Sequence, residues 1–579
     1  MKQVLQQLGR YRRDAVLCVL LTALEVLMEI LMPFITAIII DRGLEAANLP
    51  VVYRYGLLMV VMALLSLAFG ALAGKYAASA SAGLSANLRE AIYNKIQTFS
   101  FSNIDKFSVP GLVTRMTTDV TNVQNAFMMV IRIAARSPLM LVFSYMMCIL
   151  ISPAMSLMFL IAVVFLILVL GAIMVVTLKL FNQVFQKYDD LNASVQENVS
   201  AIRVVKAFVR EDYENRKFSR ASAALYRLFV KAEGLLAFNN PAMMLAVYFC
   251  ILSASWLGAQ FIVGGSMTTG DLTSLFSYIM SLLMSLMMLS MVVVMISMSM
   301  ASIRRISQVL RETPDLSEPA QPVTEVADGS IDFDHVSFSY KSGSDKMALR
   351  DIDLHIRAGE TIGIIGGTGC GKSSLVNLIC RLYDVSQGAV RVGGVDVRRY
   401  DTEVLRSQVA VVLQKNTLFS GTILDNLRWG DPEATEEACV AACKAACADE
   451  FIDRFPDGYQ TRVERGGANL SGGQKQRLCI ARALLKHPKV LILDDSTSAV
   501  DTATDARIRQ AFARQIPGTT KLIIAQRISS VEQADRILVL DEGGINGFDT
   551  HENLLKTNAI YREIYESQVK GGGDFDQSA

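Results

Sequence analysis

Long runs with little or no charge constrain this chain more than any other feature. Each of Ala15 to Ile40, Tyr55 to Gly74, Met155 to Leu178, Pro241 to Gly264 and Leu272 to Ile303 is long enough to cross about 30 Å of hydrocarbon as a helix. Backbone polar groups in lipid have no water to bond, so such runs fold as helices. Ser137 to Leu178 is uncharged throughout, too long for one crossing and interrupted by Ser152-Pro153, so it divides into two helices joined by a tight turn. The expectation is six spans, the third starting before Ser137. Composition agrees: 52% of the 579 residues are apolar and 19% charged, against about a quarter charged in an ordinary soluble domain. A formal charge of +1 offers no bulk attraction to nucleic acid, and none is expected as a partner.

Basic residues set the orientation. Arg10, Arg12 and Arg13 precede the first span, Lys75, Arg89, Lys95, Arg115, Arg132 and Arg136 lie between the second and third, and Arg304 and Arg305 follow the sixth. Connections on the other side are short and nearly free of Lys and Arg, which places both termini in the cytoplasm. Residues 1 to 13 are expected to be retained, not cleaved as a signal peptide, because the run after them is too long for one. The two inner loops are long and read as helical, so membrane helices are expected to continue into the cytoplasm. Pro110 to Asp119 and Phe208 to Tyr213 are then the tips that touch another domain. Within the first span, Glu25 and Glu29 share a helix face, where a bare carboxylate facing lipid is costly. Either they line a substrate path, favouring a cationic group, or they are paired inside the bundle. The methionines of the last span, Met280 to Met300, suit an adaptable apolar pocket or moving interface as well as ordinary packing.

After Arg305 the pattern changes. Residues 1–310 read as the membrane domain, 311–329 as a polar, proline-bearing linker, 330–570 as strands alternating with helices, and 571–579 as a disordered tail. The apolar strand-like "ETIGIIG" leads into Gly366, Gly367, Thr368, Gly369, Cys370, Gly371, Lys372 and Ser373, followed by Ser374 and a helix-like run. This is a phosphate-binding loop in its required strand–loop–helix context. Glycines let backbone N–H groups close round the phosphates, and the helix N-terminus adds its dipole. Lys372 would reach the outer phosphates of ATP and Ser373 would ligate magnesium. "VLILDD" ends a second strand with Asp494 as the magnesium-directing carboxylate. Between them, Leu470-Ser-Gly-Gly-Gln474 is another backbone-rich phosphate-binding turn at a helix start, which makes sense if it caps a nucleotide held by a second subunit. Cys439, Cys443 and Cys447 fall on one helix face and read as a packing seam; no metal-ligand spacing is found among the Cys and His residues.

These motifs, with "VSFSY", "VAVVLQKNTLFSGTILDNL", "LSGGQKQR", "VLILDDSTSAVD" and "IIAQR", resemble those of ATP-binding cassette (ABC) exporter half-transporters over residues 1 to about 570. "LVTRMTTDV" and "IRVVKAFVREDYE" are similar to that family's cytoplasmic coupling segments. The resemblance implies an all-α, six-helix exporter-type membrane domain followed by an α/β ABC nucleotide-binding domain with its P-loop. It also implies Tyr340 stacking on adenine, Gln414 contributing to the nucleotide and magnesium site, and a dimer in which each ATP lies between one chain's phosphate loop and the other's "LSGGQ". No periplasmic binding protein is implied.

Two positions depart from that pattern. Hydrolytic members carry glutamate where this chain has Asp495 and histidine where it has Gln526. Asp495 keeps the charge but is one methylene shorter, and Gln526 has no imidazole chemistry. The expected arrangement is a bacterial-type heterodimer in the cell membrane. This chain's own site holds ATP and hydrolyses it weakly, while Ser471, Gly473 and Gln474 complete a working site on a partner that brings the glutamate and histidine. Export of a small amphipathic or lipid-like substrate, with membrane lipid as the surrounding partner, is the expected function. A homodimer with slow ATPase and a non-transporting ATP-sensing membrane subunit remain as alternatives.

Overall fold

A computed structural model describes residues 2–340, 346–495 and 500–571. The tail from 572 onward, expected to be disordered, lies outside the described residues, as do the four residues following Asp495. The chain forms two compact units, one of Met1–Thr98 with Phe107–Glu312 and one of Phe99–Lys106 with Thr313 onward.

In the first unit, six helical segments among the described residues are long and apolar enough to cross a membrane, namely Gly9–Leu44, Leu49–Gln97, Val109–Ile151, Pro153–Ser200, Glu211–Val263 and Thr269–Arg311. Their ends have local causes. Ser152 is extended, and Pro153 opens the fourth span in the first helical turn, where a missing N–H costs nothing. A reciprocal Thr268–Asp271 capping box starts the sixth. Leu57, Leu67, Leu168 and Leu252 stand exposed on the outside, as lipid-facing side chains do, while Val26, Phe159, Leu166, Tyr278 and Leu282 form the packed interior. Tyr278 donates to the Ile30 carbonyl at 2.8 Å and Ser274 to the Pro33 carbonyl at 2.6 Å, tying the sixth span to the first where proline interrupts its ladder. The third span contains two π-helical turns, Arg115–Asp119 and Val130–Ala134.

The second unit is an α/β domain. Its strands are β1 (Ile331–Phe338), β2 (Leu349–Ile356), β3 (Thr361–Gly366), β4 (Gln387–Val392), β5 (Val395–Asp396), β6 (Val409–Val412), β7 (Gly421–Thr422), β8 (Arg462–Val463), β9 (Val490–Asp494), β10 (Thr520–Ile524), β11 (Arg536–Asp541) and β12 (Gly544–Asp549). A six-stranded sheet runs β12-β11-β3-β10-β9-β6, parallel except for β12, beside an antiparallel sheet β2-β1-β4-β5 and the small pair β7-β8. β9 and β10 are buried along their whole length, as parallel strands covered on both faces should be.

Two segments differ from the expectation. The stretch read as a linker is built into the ATPase unit, with Val323 bridging to Tyr400 and Val326 buried. The part of the first inner loop that belongs to this unit is Phe99–Lys106, whereas Pro110 to Asp119 sits in the membrane unit. The contacts explain why: Tyr383 donates to Asp105 at 2.8 Å and meets the Phe101 ring at 6.2 Å, and Asn103 donates to the Thr313 carbonyl at 3.2 Å. Phe208, Val209 and Tyr213 at the second loop are strongly exposed. Cys439, Cys443 and Cys447 are buried free thiols in the ATPase core; burial pushes Cys443 up to about 12.

Candidate functional site

Sheet order brings the motifs to one edge. β10 lies between β3 and β9, with Ile524 in register with both Ile364 and Asp494, so the phosphate loop after β3, Gln526 after β10 and Asp494-Asp495 at the end of β9 emerge side by side. β6 pairs with the outer side of β9, which brings Gln414 to the same edge. This is where parallel α/β sheets collect ligand chemistry.

The loop's glycines divide into two kinds. A Cβ on Gly366 would stand 2.2 Å from the Leu540 carbonyl oxygen, and one on Gly371, whose φ is +100°, would stand 2.6 Å from that of Ala348, so glycine alone fits at both. At Gly367 and Gly369 a Cβ would meet nothing within 4 Å, leaving backbone open to a ligand. Lys372 Nζ donates to the carbonyls of Gly366 and Gly367, each at 2.8 Å, which keeps the ammonium over the loop. A cavity of about 570 Å³ is lined by Tyr340, Gly369, Gly371, Lys372, Ser373 and Ser374, and also by Lys346, Met347 and Ala348, which the motifs did not single out. Tyr340 is half exposed, and its hydroxyl lies 2.9 Å from Ser374 Oγ. The cradle, ammonium and exposed tyrosine ring fit a nucleotide. Cys370 is buried, with Sγ 3.7 Å from Lys372 Nζ.

Beyond the loop lie the carboxylates. Asp494 is buried beside Ser373. Burial pushes its carboxyl above the usual range and the neighbouring Asp495 adds to this, while Ser373 and Lys372 oppose it. Ser373 and Asp494 together offer the hard oxygen ligands that magnesium takes. Asp495 has φ +47°, uncommon for a residue with a Cβ. Its Oδ2 accepts from Gln526 Nε2 at 2.8 Å and from Gln414 Nε2 at 3.3 Å.

Ser471, Gly473 and Gln474 do not line the cavity over the phosphate loop. Ser471 caps the helix Gly472–Leu484: its Oγ accepts from Gln474 N at 3.3 Å, and Gln474 Oε1 accepts from Ser471 N at 2.9 Å. The turn thus has its own stable geometry at a helix N-terminus, with Ser471 and Gly472 exposed.

In the membrane unit, Glu25 and Glu29 are paired. Arg136 Nη1 lies 2.5 Å from Glu25, and its Nη2 bonds Glu29 at 2.6 and 2.8 Å. A cavity of about 770 Å³ is lined by Arg136 and Arg132 together with methionines of the third and sixth spans.

A membrane unit of six spans joined to a P-loop ATPase defines an ATP-driven membrane protein, and the comparisons make the class specific. Residues 15–287 match the ABC transporter transmembrane region and residues 349–498 the ABC transporter family. An uncharacterised ABC transporter ATP-binding protein of Bacillus subtilis is 36% identical over 568 residues, 98% of each chain. The ATP-dependent lipid A-core flippase of Desulfotalea psychrophila is 34% identical over 411 residues, 70% of this chain and 71% of its own. A bacterial Atm1-family ABC exporter solved with ATP bound superimposes with a TM-score of 0.83 at 26% identity, covering 96% of this chain and 99% of that one. The chain belongs to the ABC transporter family, as an exporter half-transporter. It is a multi-pass membrane protein with a cytoplasmic, ATP-binding ATPase domain, of a kind that works as a dimer.

Proposed function

We propose that this chain exports an amphipathic or lipid-like molecule across the cytoplasmic membrane as one half of a heterodimer whose two ATP sites are unequal. Residues 1–310 carry the translocation path and 330–570 the nucleotide machinery. The site on this chain's phosphate loop holds magnesium-ATP through Lys372, Ser373, Gln414 and Asp494 and turns over slowly. The second site is completed by Ser471, Gly473 and Gln474 facing a partner that supplies glutamate and histidine.

The observation that carries this reading is the clasp of Gln526 and Gln414 on Asp495 Oδ2. A general base must reach the attacking water with its carboxylate free to accept the proton. Here the carboxylate is on a short side chain and its outer oxygen already accepts two amides, one of them from the position where hydrolytic relatives place histidine. The flippase relative supports a lipid-like cargo, and the cavity among methionines gives it room.

The test is steady-state ATPase of the chain alone in lipid nanodiscs, with ATP binding measured in the same sample. Binding without turnover, and turnover once a half with intact glutamate and histidine is added, is expected. Brisk turnover by the chain alone, abolished by Asp495→Ala, would overturn the asymmetry and leave a homodimer.

A further inference from the structure

The membrane cavity presents a cation that the ATP cycle does not use. We propose that it binds an amphipath by an anionic head group, phosphate or carboxylate, received by Arg132, with the apolar chain among Met128, Met284 and Met288. This deepens the export reading above and rests on it.

Charge is unevenly placed around this cavity. Arg132 and Arg136 line it, and Glu25 and Glu29 do not. Both terminal nitrogens of Arg136 are occupied by those carboxylates, so the negative charges stand behind an arginine. A cationic head entering the cavity would meet guanidinium first. Arg132, by contrast, makes no hydrogen bond or ion pair among the described residues and is exposed to the cavity. An unpaired guanidinium in a largely apolar setting is costly, and a carboxylate or phosphate meets its fork with two parallel charge-assisted bonds.

The surroundings leave Arg132 as the donor in demand. The hydroxyls of Ser281 and Ser285, also in the lining, donate to carbonyls one turn back on their own helix, at 3.0 and 2.7 Å. Apart from Ile133 and the buried Ser137, the remaining wall is methionine, whose flexible thioether chain adapts to acyl or ring surfaces without selecting among them. The volume, about 770 Å³, falls in the range of small-molecule pockets. Arg132 also sits in the π-helical turn Val130–Ala134, a distortion that recurs at functional sites. Charge selects the head and methionine tolerates the tail, so the specificity should be for class, not for one compound.

The experiment compares three amphipaths with a common C12 chain, dodecyl phosphate, dodecyltrimethylammonium and dodecyl maltoside, titrated calorimetrically into the full chain in phosphatidylcholine nanodiscs, with empty discs as reference. Dodecyl phosphate should bind at least about tenfold more tightly than the other two. Arg132→Gln should erase that preference, Arg132→Lys should restore part of it, and Met284→Ala should weaken all three similarly. Arg132 is unpaired, so thermal stability of Arg132→Gln should be no lower than that of the parent. Equal binding of all three, unchanged by Arg132→Gln, or a preference for the ammonium would overturn the anionic assignment while leaving amphipath export standing. Binding of none would overturn both. Repeating the titration in discs containing phosphatidylglycerol separates the sources of the head group: competition assigns Arg132 to a bilayer lipid, and its absence to a free amphipath.

Discussion

The two units hold their charges in opposite ways. At the ATPase edge, Gln414, Asp495 and Gln526 come from neighbouring strands, with both glutamines exposed and Asp495 half-buried, and are joined by neutral amide-to-carboxylate bonds. In the membrane unit, Glu25 and Glu29 meet Arg136 across more than a hundred residues, and fully buried Asp119 is held by Arg305 at 2.5 Å and Ser302 at 2.9 Å. Exposed amide bonds exchange with water at small net cost. Ions removed from water cannot lose a partner cheaply. The first arrangement can change with each nucleotide event, whereas the second pins helices in place, so substitutions should alter rate in one unit and assembly in the other.

The largest effect should therefore come from the membrane pin. Arg136→Ala leaves two carboxylates facing each other in the bundle and should cost about 3 kcal/mol or more of stability, read as loss of folded, reconstitutable protein and a lowered Tm. The triple change Glu25→Gln, Glu29→Gln, Arg136→Met should recover most of that loss. A triple variant as unstable as the single would mean that shape, not charge, sets the cost.

Ser471→Ala should come next, cutting ATPase of the assembled pair by about a hundredfold, as loss of a preorganised donor does. Because Ser471 also caps its helix, a capping loss of about 1 kcal/mol has to be separated. Ser471→Asn keeps the cap, so recovery of turnover by asparagine would assign the defect to folding. Asp495→Ala should change the pair's turnover by no more than about threefold. Equally severe losses at both positions would break the asymmetry. Smaller again is the gain from repairing this chain's own site: Asp495→Glu with Gln526→His should raise turnover of the chain alone by about tenfold, a fraction of what a well-placed general base contributes.

What could be read from the sequence follows the same division. The spans were legible because lipid permits so few alternatives, and the split at Ser152-Pro153 because extended serine and proline punctuate a helix locally. Phosphate loop, Asp494 and Gln526 were legible because each sits at the end of its own strand. The partner of Glu25 and Glu29 was not, because nothing near them in the chain points to Arg136, one of seven basic residues between the second and third spans. Arg132 read as one more inside-facing charge for the same reason; only packing shows which arginine has its carboxylates and which faces a cavity. The place of Phe99–Lys106 in the ATPase unit was not legible because Phe101, Asn103 and Asp105 make their contacts with Tyr383 and Thr313, far along the chain.

The finest test of the comparison is pH. Asp494 belongs to the ATPase edge yet is buried like a membrane carboxylate, and burial raises its pKa above that of an ordinary aspartate, about 3.9. A group whose folded pKa is raised binds its proton more tightly when folded, so its contribution to the stability of the nucleotide-free domain is present at low pH and lost as pH rises through the folded value. Magnesium works in the other direction, because only the carboxylate form ligates it. The stabilisation given by magnesium-ATP, measured as the difference in Tm with and without it, should therefore shrink as pH falls from about 7 towards 4, starting before ordinary aspartates titrate. Asp494→Asn should lower that difference at neutral pH and flatten its dependence. If the asparagine variant kept the full slope, the proton would lie elsewhere, and the burial of Asp494 would not be what couples magnesium-ATP to pH.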